Sequence, residues 1–280
     1  MNPKDYLFGA TFPEHCWRPD LFAMLVLAEF ARTDWHNTIK VNPPEPFDSE
    51  IMKNVEIPKL TTYEKERADR FAEIVDQDSR LHIYFAQALM LSPSAHPNAL
   101  RVIEMAYQVG LMVVIYYKQM FNRGRPQQVC PAIMPIIPGP MHPSYPSGHS
   151  LQSHMIAEAL ASLVPGARDL LVALADRIGH NREIAGVHFK SDTDAGRDIA
   201  LQAFRILADG AKCPIFAKTL AAAQVELGSP AATLTSMLVP PLSSRSDIKT
   251  PNGRKSRKTR KQAQSVPRQN GLKVPTAEPV

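Results

Sequence analysis

Cysteine is scarce. Cys16, Cys130 and Cys213 are odd in number, far apart and without a C-x-x-C pair. That excludes a disulfide framework and argues against a zinc site. No alternating apolar–polar run of useful strand length occurs, nor any internal repeat or heptad array. The N-terminus, "MNPKDYLFGATFPEHCWRP", has acids and prolines where a signal peptide needs an apolar core. The longest unbroken apolar run, Val109 to Tyr117, is about half of what a membrane span requires. These absences point to a chain with no export signal and no membrane span, placed in the cytoplasm.

Charge is unevenly spread. Residues 241–280 hold ten Lys/Arg against Asp247 and Glu278, a net of +8, while the other 240 residues hold 22 against 25, a net of −3. The basic pI therefore belongs to the tail. The tail is polar and nearly free of aromatics, so it is read as disordered. A chain of 280 residues can bury a full core. The reading is one helical catalytic domain over 1–240, with a motif core at about 98–210, and a basic tail over 241–280.

Helix signals dominate, and the fold class is all-α. Asp20 is read as the cap of an apolar helix from Leu21 to about Arg32, and 33–60 as a long connection. Thr61 and Glu64 form a capping-box pattern. The helix they open has Phe71, Ile74, Val75, Leu81, Tyr84, Phe85 and Leu89 on its inner side. "SPSAHP" (92–97) breaks the chain, and a helix from about Asn98 to Asn122 follows. The prolines of 126–146 exclude a helix there. Further helices are expected at about 148–163, 167–187, 193–209 and 214–227, with Pro165-Gly166 and Gly210 as stops.

Three short pieces carry chemistry. "KQMFNRGRP" places Lys118 seven residues before Arg125; "PSGH" covers 146–149; "NREIAGVHFKSD" sets Arg182, His188 and Asp192 at spacings of six and four. Together they are parts for a tetrahedral oxyanion. Lys118, Arg125 and Arg182 supply cationic donors. Ser147 adds a hydroxyl, and Gly148 a backbone N–H at a helix start. His149 and His188 supply acid–base or nucleophilic chemistry, and Asp192 can fix the His188 tautomer. Each piece alone reads better as a helix cap, a turn or a solvated charge; the order and spacing of all three together are specific. Arg123 reads as a solvated loop arginine, His154 as structural, His180 as a rim residue at most and Cys130 as an incidental thiol. Tyr145 reads as a wall of the cup or a loop closure.

The pattern Lys-x6-Arg-Pro, Pro-Ser-Gly-His, Arg-x5-His-x3-Asp resembles that of the type 2 phosphatidic acid phosphatase and vanadium haloperoxidase superfamily, over about residues 100–210. Asn181 stands where the family commonly has Ser. The resemblance implies a helical bundle and a phosphatase reaction without a metal. In it His188 attacks phosphorus to form a phosphohistidine, aligned by Asp192. His149 protonates the leaving alkoxide and activates water. Lys118, Arg125, Ser147, Gly148 and Arg182 hold the non-bridging oxygens. "SYPSGHS" and "HFKSD" look like soluble bacterial acid phosphatases, and "AGVH" like the haloperoxidases. There vanadate would be the cofactor, bound at His188, and His142, seven residues before His149, would stand behind the cup with Asn181; otherwise His142 reads as a loop histidine beside two prolines, the reading its own residues favour.

The expected partner is a small phosphate ester. The tail suggests peripheral contact with an anionic surface, or plain solubility. It lacks a reading module for sequence-specific nucleic acid. A homodimer is the default if the chain assembles. The rivals from other classes are a non-catalytic anion- or anionic-surface-binding protein and a catalytically dead scaffold.

Overall fold

The computed structural model describes residues 11–228. Contacts divide the chain into Met1–Met237 and Leu238–Val280, and every described residue falls in the first unit. The basic tail expected at 241–280 lies outside the described residues.

Among the described residues the regular structure is helical throughout, without strands: α1 Pro19–Ala31, α2 Trp35–Thr38, α3 Ile57–Thr62, α4 Arg67–Ala88, α5 Pro97–Phe121, α6 Pro126–Val129, α7 Gly148–Leu163, α8 Arg168–Ile184, α9 Lys190–Leu207 and α10 Pro214–Glu226. The all-α expectation holds. α7 is the central helix, and nearly every residue from Ser150 to Leu163 is buried. It packs against α5, α8 and α9, while α1 and α10 cover the outer face of α5. The main core includes Val102, Met105, Val109, Leu151, Met155, Ile178, Ile199 and Ala203. A smaller one (Met52, Leu60, Ile74, Ile133, Ile184, Val187, Phe189) lies under the Pro-rich loop.

Close helix contact needs small residues. A Cβ on Gly196 of α9 would stand 2.6 Å from the Ser147 carbonyl oxygen and 3.0 Å from Ser150 Cβ. One on Gly179 of α8 would stand 2.9 Å from Thr193 Cγ2. Backbone cannot yield as a side-chain tip does, so Gly196→Ala is expected to cost about 1–3 kcal/mol by overpacking. Urea denaturation would check this, and a cost within error of zero would refute the close approach.

Local rules explain where the elements differ from expectation. Asp20 does not cap α1: Arg18 is the N-cap, Pro19 takes N1, and Asp20 instead accepts from the Arg18 side chain at 3.0 and 2.6 Å. The segment 33–60 is not a bare connection, because it holds α2, a π-helical turn over Met52–Glu56 and the start of α3. Thr61 lies inside that helical run, its hydroxyl donating back to Pro58 O at 2.7 Å. Ile74, Leu81 and Phe85 point inward as expected, but Phe71 and Val75 are half exposed. The buried stripe is Ile74, Gln77, Leu81 and Phe85, at spacings of three and four, and Phe71 and Val75 fall on its outer edge. Pro126 starts a turn of helix rather than excluding one, since N1 needs no N–H. α8 stops at Ile184, and Gly186 follows with φ of 77°.

The stretch Pro97–Val129 is long and apolar enough to cross a membrane by length and composition, with 56% of its most apolar window buried inside the protein. The sequence reading missed it by counting only an unbroken apolar run. Isolated polar residues such as Gln108 interrupt the run without making the helix polar.

Candidate active site

The three motifs converge because each sits at a helix start or end. Arg125 is the N-cap of α6: its backbone is extended, Pro126 takes N1, and Gln128 Oε1 accepts from the Arg125 N–H at 2.7 Å. Ser147 is the N-cap of α7, its Oγ accepting from Ser150 N at 3.4 Å. Phe189 is the N-cap of α9, and Asp192 at N3 reaches back to accept from Phe189 N at 3.0 Å. The His188-x3-Asp192 spacing is therefore a helix-start geometry. It brings the carboxylate Oδ2 to 3.1 Å from His188 Nδ1. Ser147 N donates to Asp192 O at 2.9 Å, tying α7 to α9 at the same point.

Lys118, near the end of α5, is buried and donates to the carbonyls of Pro143 (2.7 Å) and Ser144 (2.8 Å). Burial, reinforced by Arg125 and opposed by Asp192, brings its pKa down to about 7. Arg125 is also buried. It donates to Val187 O at 2.7 Å and His142 O at 3.0 Å, and its Nη1 lies 3.4 Å from His188 Nε2. Burial, partly offset by Asp192, lowers its pKa to about 10.

His188 is 2% exposed. One ring nitrogen faces a carboxylate and the other a guanidinium, which only donates. Both neighbours select the same tautomer: proton on Nδ1, lone pair on Nε2. Burial, with Lys118 and Arg125, outweighs Asp192 and holds the ring neutral, its pKa well below the ordinary value. Burial alone would raise the Asp192 pKa. The hydrogen bond from His188, the charge of Arg123 and a hydrogen bond from Ser144 outweigh it and keep the carboxyl ionised.

His149 donates from Nε2 to Gln77 O at 3.2 Å. Burial and the nearby Arg182 and His188 hold it neutral too. Arg182 is wholly buried on α8, and its Nη2 donates to Asp78 of α4 at 2.6 Å. Its Nε and Nη1 have no hydrogen-bond partner among the described residues. Burial is also what lowers its pKa. A buried cation with two unspent donors is costly unless something anionic meets them.

Gly148 is the first residue of α7, and a Cβ there would meet no protein atom closer than 3.8 Å. The protein itself thus leaves room for a side chain. Asn181 is buried, with Nδ2 donating to Gln77 Oε1 at 2.8 Å. His142 is exposed, its Nδ1 3.1 Å from Arg125 Nη2, and so sits at the rim. His154 is structural, bonded to Ser150 O at 2.8 Å and Asp176 at 3.2 Å. His180 leans on Tyr63 and lies 3.3 Å from Glu183. Tyr145 is buried and donates to Asn42 O at 2.7 Å. Cys130 is a free thiol.

Arg123 is the main correction. It is not solvated but buried, donating from Nη1 to Asp192 Oδ1 at 2.6 Å. Sequence reasoning also missed Gln77 and Asp78 of α4, which meet His149, Asn181 and Arg182. It missed Ser144 as well, whose hydroxyl donates to Asp192 Oδ2. No spacing rule pointed to these, since each meets its partner across long sequence separations.

Residues 100–208 match the model of the PAP2 superfamily. Non-specific acid phosphatases of Salmonella typhi and Salmonella typhimurium are 37% and 36% identical to the chain over 84 residues. The match covers 30% of this chain and 32% of each relative, about a third of the curated relatives' length. A transmembrane PAP2-type phosphatidylglycerolphosphate phosphatase from Bacillus subtilis is 16% identical, with 69% of this chain and 94% of that one covered and a TM-score of 0.32. That score carries no argument. Over residues 100–208, the stretch that holds the three motifs, the chain is similar to the PAP2 superfamily, the type 2 phosphatidic acid phosphatase superfamily. The resemblance read from the three motifs stands on this match and the two acid phosphatases.

Proposed function

We propose that the protein is a phosphoric monoester hydrolase working through a phosphohistidine on His188. The observation that carries this is the His188 Nε2 lone pair, aimed among buried cationic groups while Arg182 keeps two donors unspent. Nε2 attacks phosphorus, and the ester P–O bond breaks. The entering dianion favours protonation of His149, which passes that proton to the leaving alkoxide. His149 then takes a proton from the water that splits the phosphohistidine. Asp192 holds the Nδ1 proton throughout. Lys118, Arg125, Ser147 Oγ, the Gly148 amide and Arg182 stabilise the charge on the non-bridging oxygens, so most of the rate comes from positioning and electrostatics.

The test is a paired assay on one preparation: hydrolysis of an aryl phosphate without added metal, with and without vanadate, and peroxide-dependent bromination with vanadate added. Hydrolysis inhibited by vanadate is expected. A second reading rests on His142, which contacts Arg125 at the rim. The same cations suit vanadate, with His188 Nε2 as its ligand and peroxide-driven halide oxidation as its chemistry. Bromination with feeble hydrolysis would favour that reading; phosphate binding with neither activity would leave a non-catalytic anion-binding protein.

Lys118 makes anion binding pH-dependent. Its pKa of about 7 means that it is charged below that pH and neutral above it. Sulfate keeps a constant charge across the neutral range, so its affinity reports the protein. It should weaken above about pH 7, by up to about tenfold per unit, as each binding event takes up one proton. Calorimetry in two buffers of different ionisation enthalpy would detect that proton. Flat affinity across the range would contradict the assignment.

A further inference from the structure

We infer that Arg123 is a positioning residue for the His188–Asp192 pair, holding the carboxylate in place from the side opposite the histidine and taking no part in anion binding. Both terminal nitrogens of its guanidinium are engaged and only Nε lacks a partner, whereas Arg182 lacks one at Nε and at Nη1. Nη1 donates to Asp192 Oδ1 at 2.6 Å and Ser191 Oγ at 2.8 Å, and Nη2 points to Met52 Sδ at 3.1 Å. The plane lies over the rings of Phe189 (4.5 Å), Phe47 (5.4 Å) and Tyr145 (5.7 Å). That aromatic box fixes the fork and excludes water from it. Oδ2 is occupied separately by His188 Nδ1, Phe189 N and the Ser144 hydroxyl. The two carboxylate oxygens therefore have different tasks: Oδ1 anchors and Oδ2 orients the imidazole.

The anchor has its own support. Ser191 Oγ donates to Glu56 Oε2 at 2.8 Å, and burial raises the Glu56 pKa. The charged and titratable groups around Asp192 are Arg123 and His188 in contact, with Lys118, Arg125, Glu56 and Tyr145 further out. Of the permanent cations, Arg123 is the one that touches it. Without Arg123 the buried carboxyl takes up a proton at a higher pH, and the neutral acid is a weaker acceptor for the His188 Nδ1–H.

The inference rests on the phosphatase reading for its kinetics, and a second readout stands apart from turnover. In Arg123→Met, kcat is expected to fall on the order of 10²-fold or more from lost alignment. Its acid limb should move up by about one pH unit or more, with KM and sulfate affinity within about twofold of the parent. Arg123→Lys should recover part of kcat and most of the acid limb. By ¹⁵N NMR of labelled histidine, the native His188 shows a protonated Nδ1 and a free Nε2, and Arg123→Met weakens or shifts that Nδ1–H signal. A folded Arg123→Met with native kcat, pH profile and His188 signal overturns the inference. So does lost sulfate binding with kcat retained, which would put Arg123 in the anion cup. If Arg123→Met does not fold, Ser191→Ala decides: kcat several-fold lower at unchanged KM, with a perturbed His188 signal, supports it, and no change overturns it. If the parent protein hydrolyses nothing, the NMR comparison decides alone.

Discussion

Replacing His188 by alanine should lower kcat for an aryl phosphate on the order of 10⁴-fold or more, the scale seen when a covalent nucleophile is removed. Sulfate should still bind, within about tenfold. The two halves follow from one arrangement. Nε2 is the His188 nitrogen that faces Arg125, so the substitution removes the atom proposed to form the bond to phosphorus. The proposed oxyanion donors Lys118, Arg125 and Arg182 do not depend on the ring for their positions: they are held by the Pro143, Ser144 and Val187 carbonyls and by Asp78. Asp192 also stays satisfied in the variant, through Arg123, Phe189 N and Ser144. A defect in KM with kcat intact would mean that His188 serves binding rather than bond formation.

Replacing Arg182 by methionine should weaken sulfate binding on the order of 10²–10⁴-fold while leaving the free protein at least as stable as the parent. Two charge-assisted hydrogen bonds to the anion are lost, at about 1.5–3 kcal/mol each. In the free protein those nitrogens have no partner, and leaving such groups buried costs about 1–3 kcal/mol apiece. Methionine fills similar volume without that cost. The residue left behind, Asp78, is 47% exposed on its side chain and can hydrate. Function here opposes stability, as expected of a preorganised cation site. Thermal melts with and without sulfate would show the crossover: the variant melting at or above the parent without it, and only the parent raised by it. Strong destabilisation with sulfate binding intact would show Arg182 to be a structural ion pair.

The sequence was most legible where geometry is local. Helix starts at Ser147 and Phe189 bring Gly148, His149, His188 and Asp192 together over a few residues, so spacing alone pointed to them. Long apolar helices such as α5 and α7 were legible for the same reason. Contacts made across the fold were not. Arg123 stands two residues from Arg125, yet it is defined by Asp192 and by Phe47 and Met52 of a segment read as connection. Gln77 and Asp78 were visible only as polar positions on α4. Their contacts with His149 and Arg182 depend on how α4 lies across α7 and α8. Phe71 and Val75 went astray because the buried stripe is narrower than the apolar one and includes Gln77, a polar residue, instead of them.

The most direct test of the account is to trap the covalent intermediate. The protein would be mixed with a ³²P-labelled aryl phosphate, quenched in base, where phosphohistidine survives, and digested. The account predicts label on the single peptide containing His188, lost on acid treatment and absent from His188→Ala. Turnover without a base-stable label, or label on another peptide that persists in His188→Ala, would contradict it.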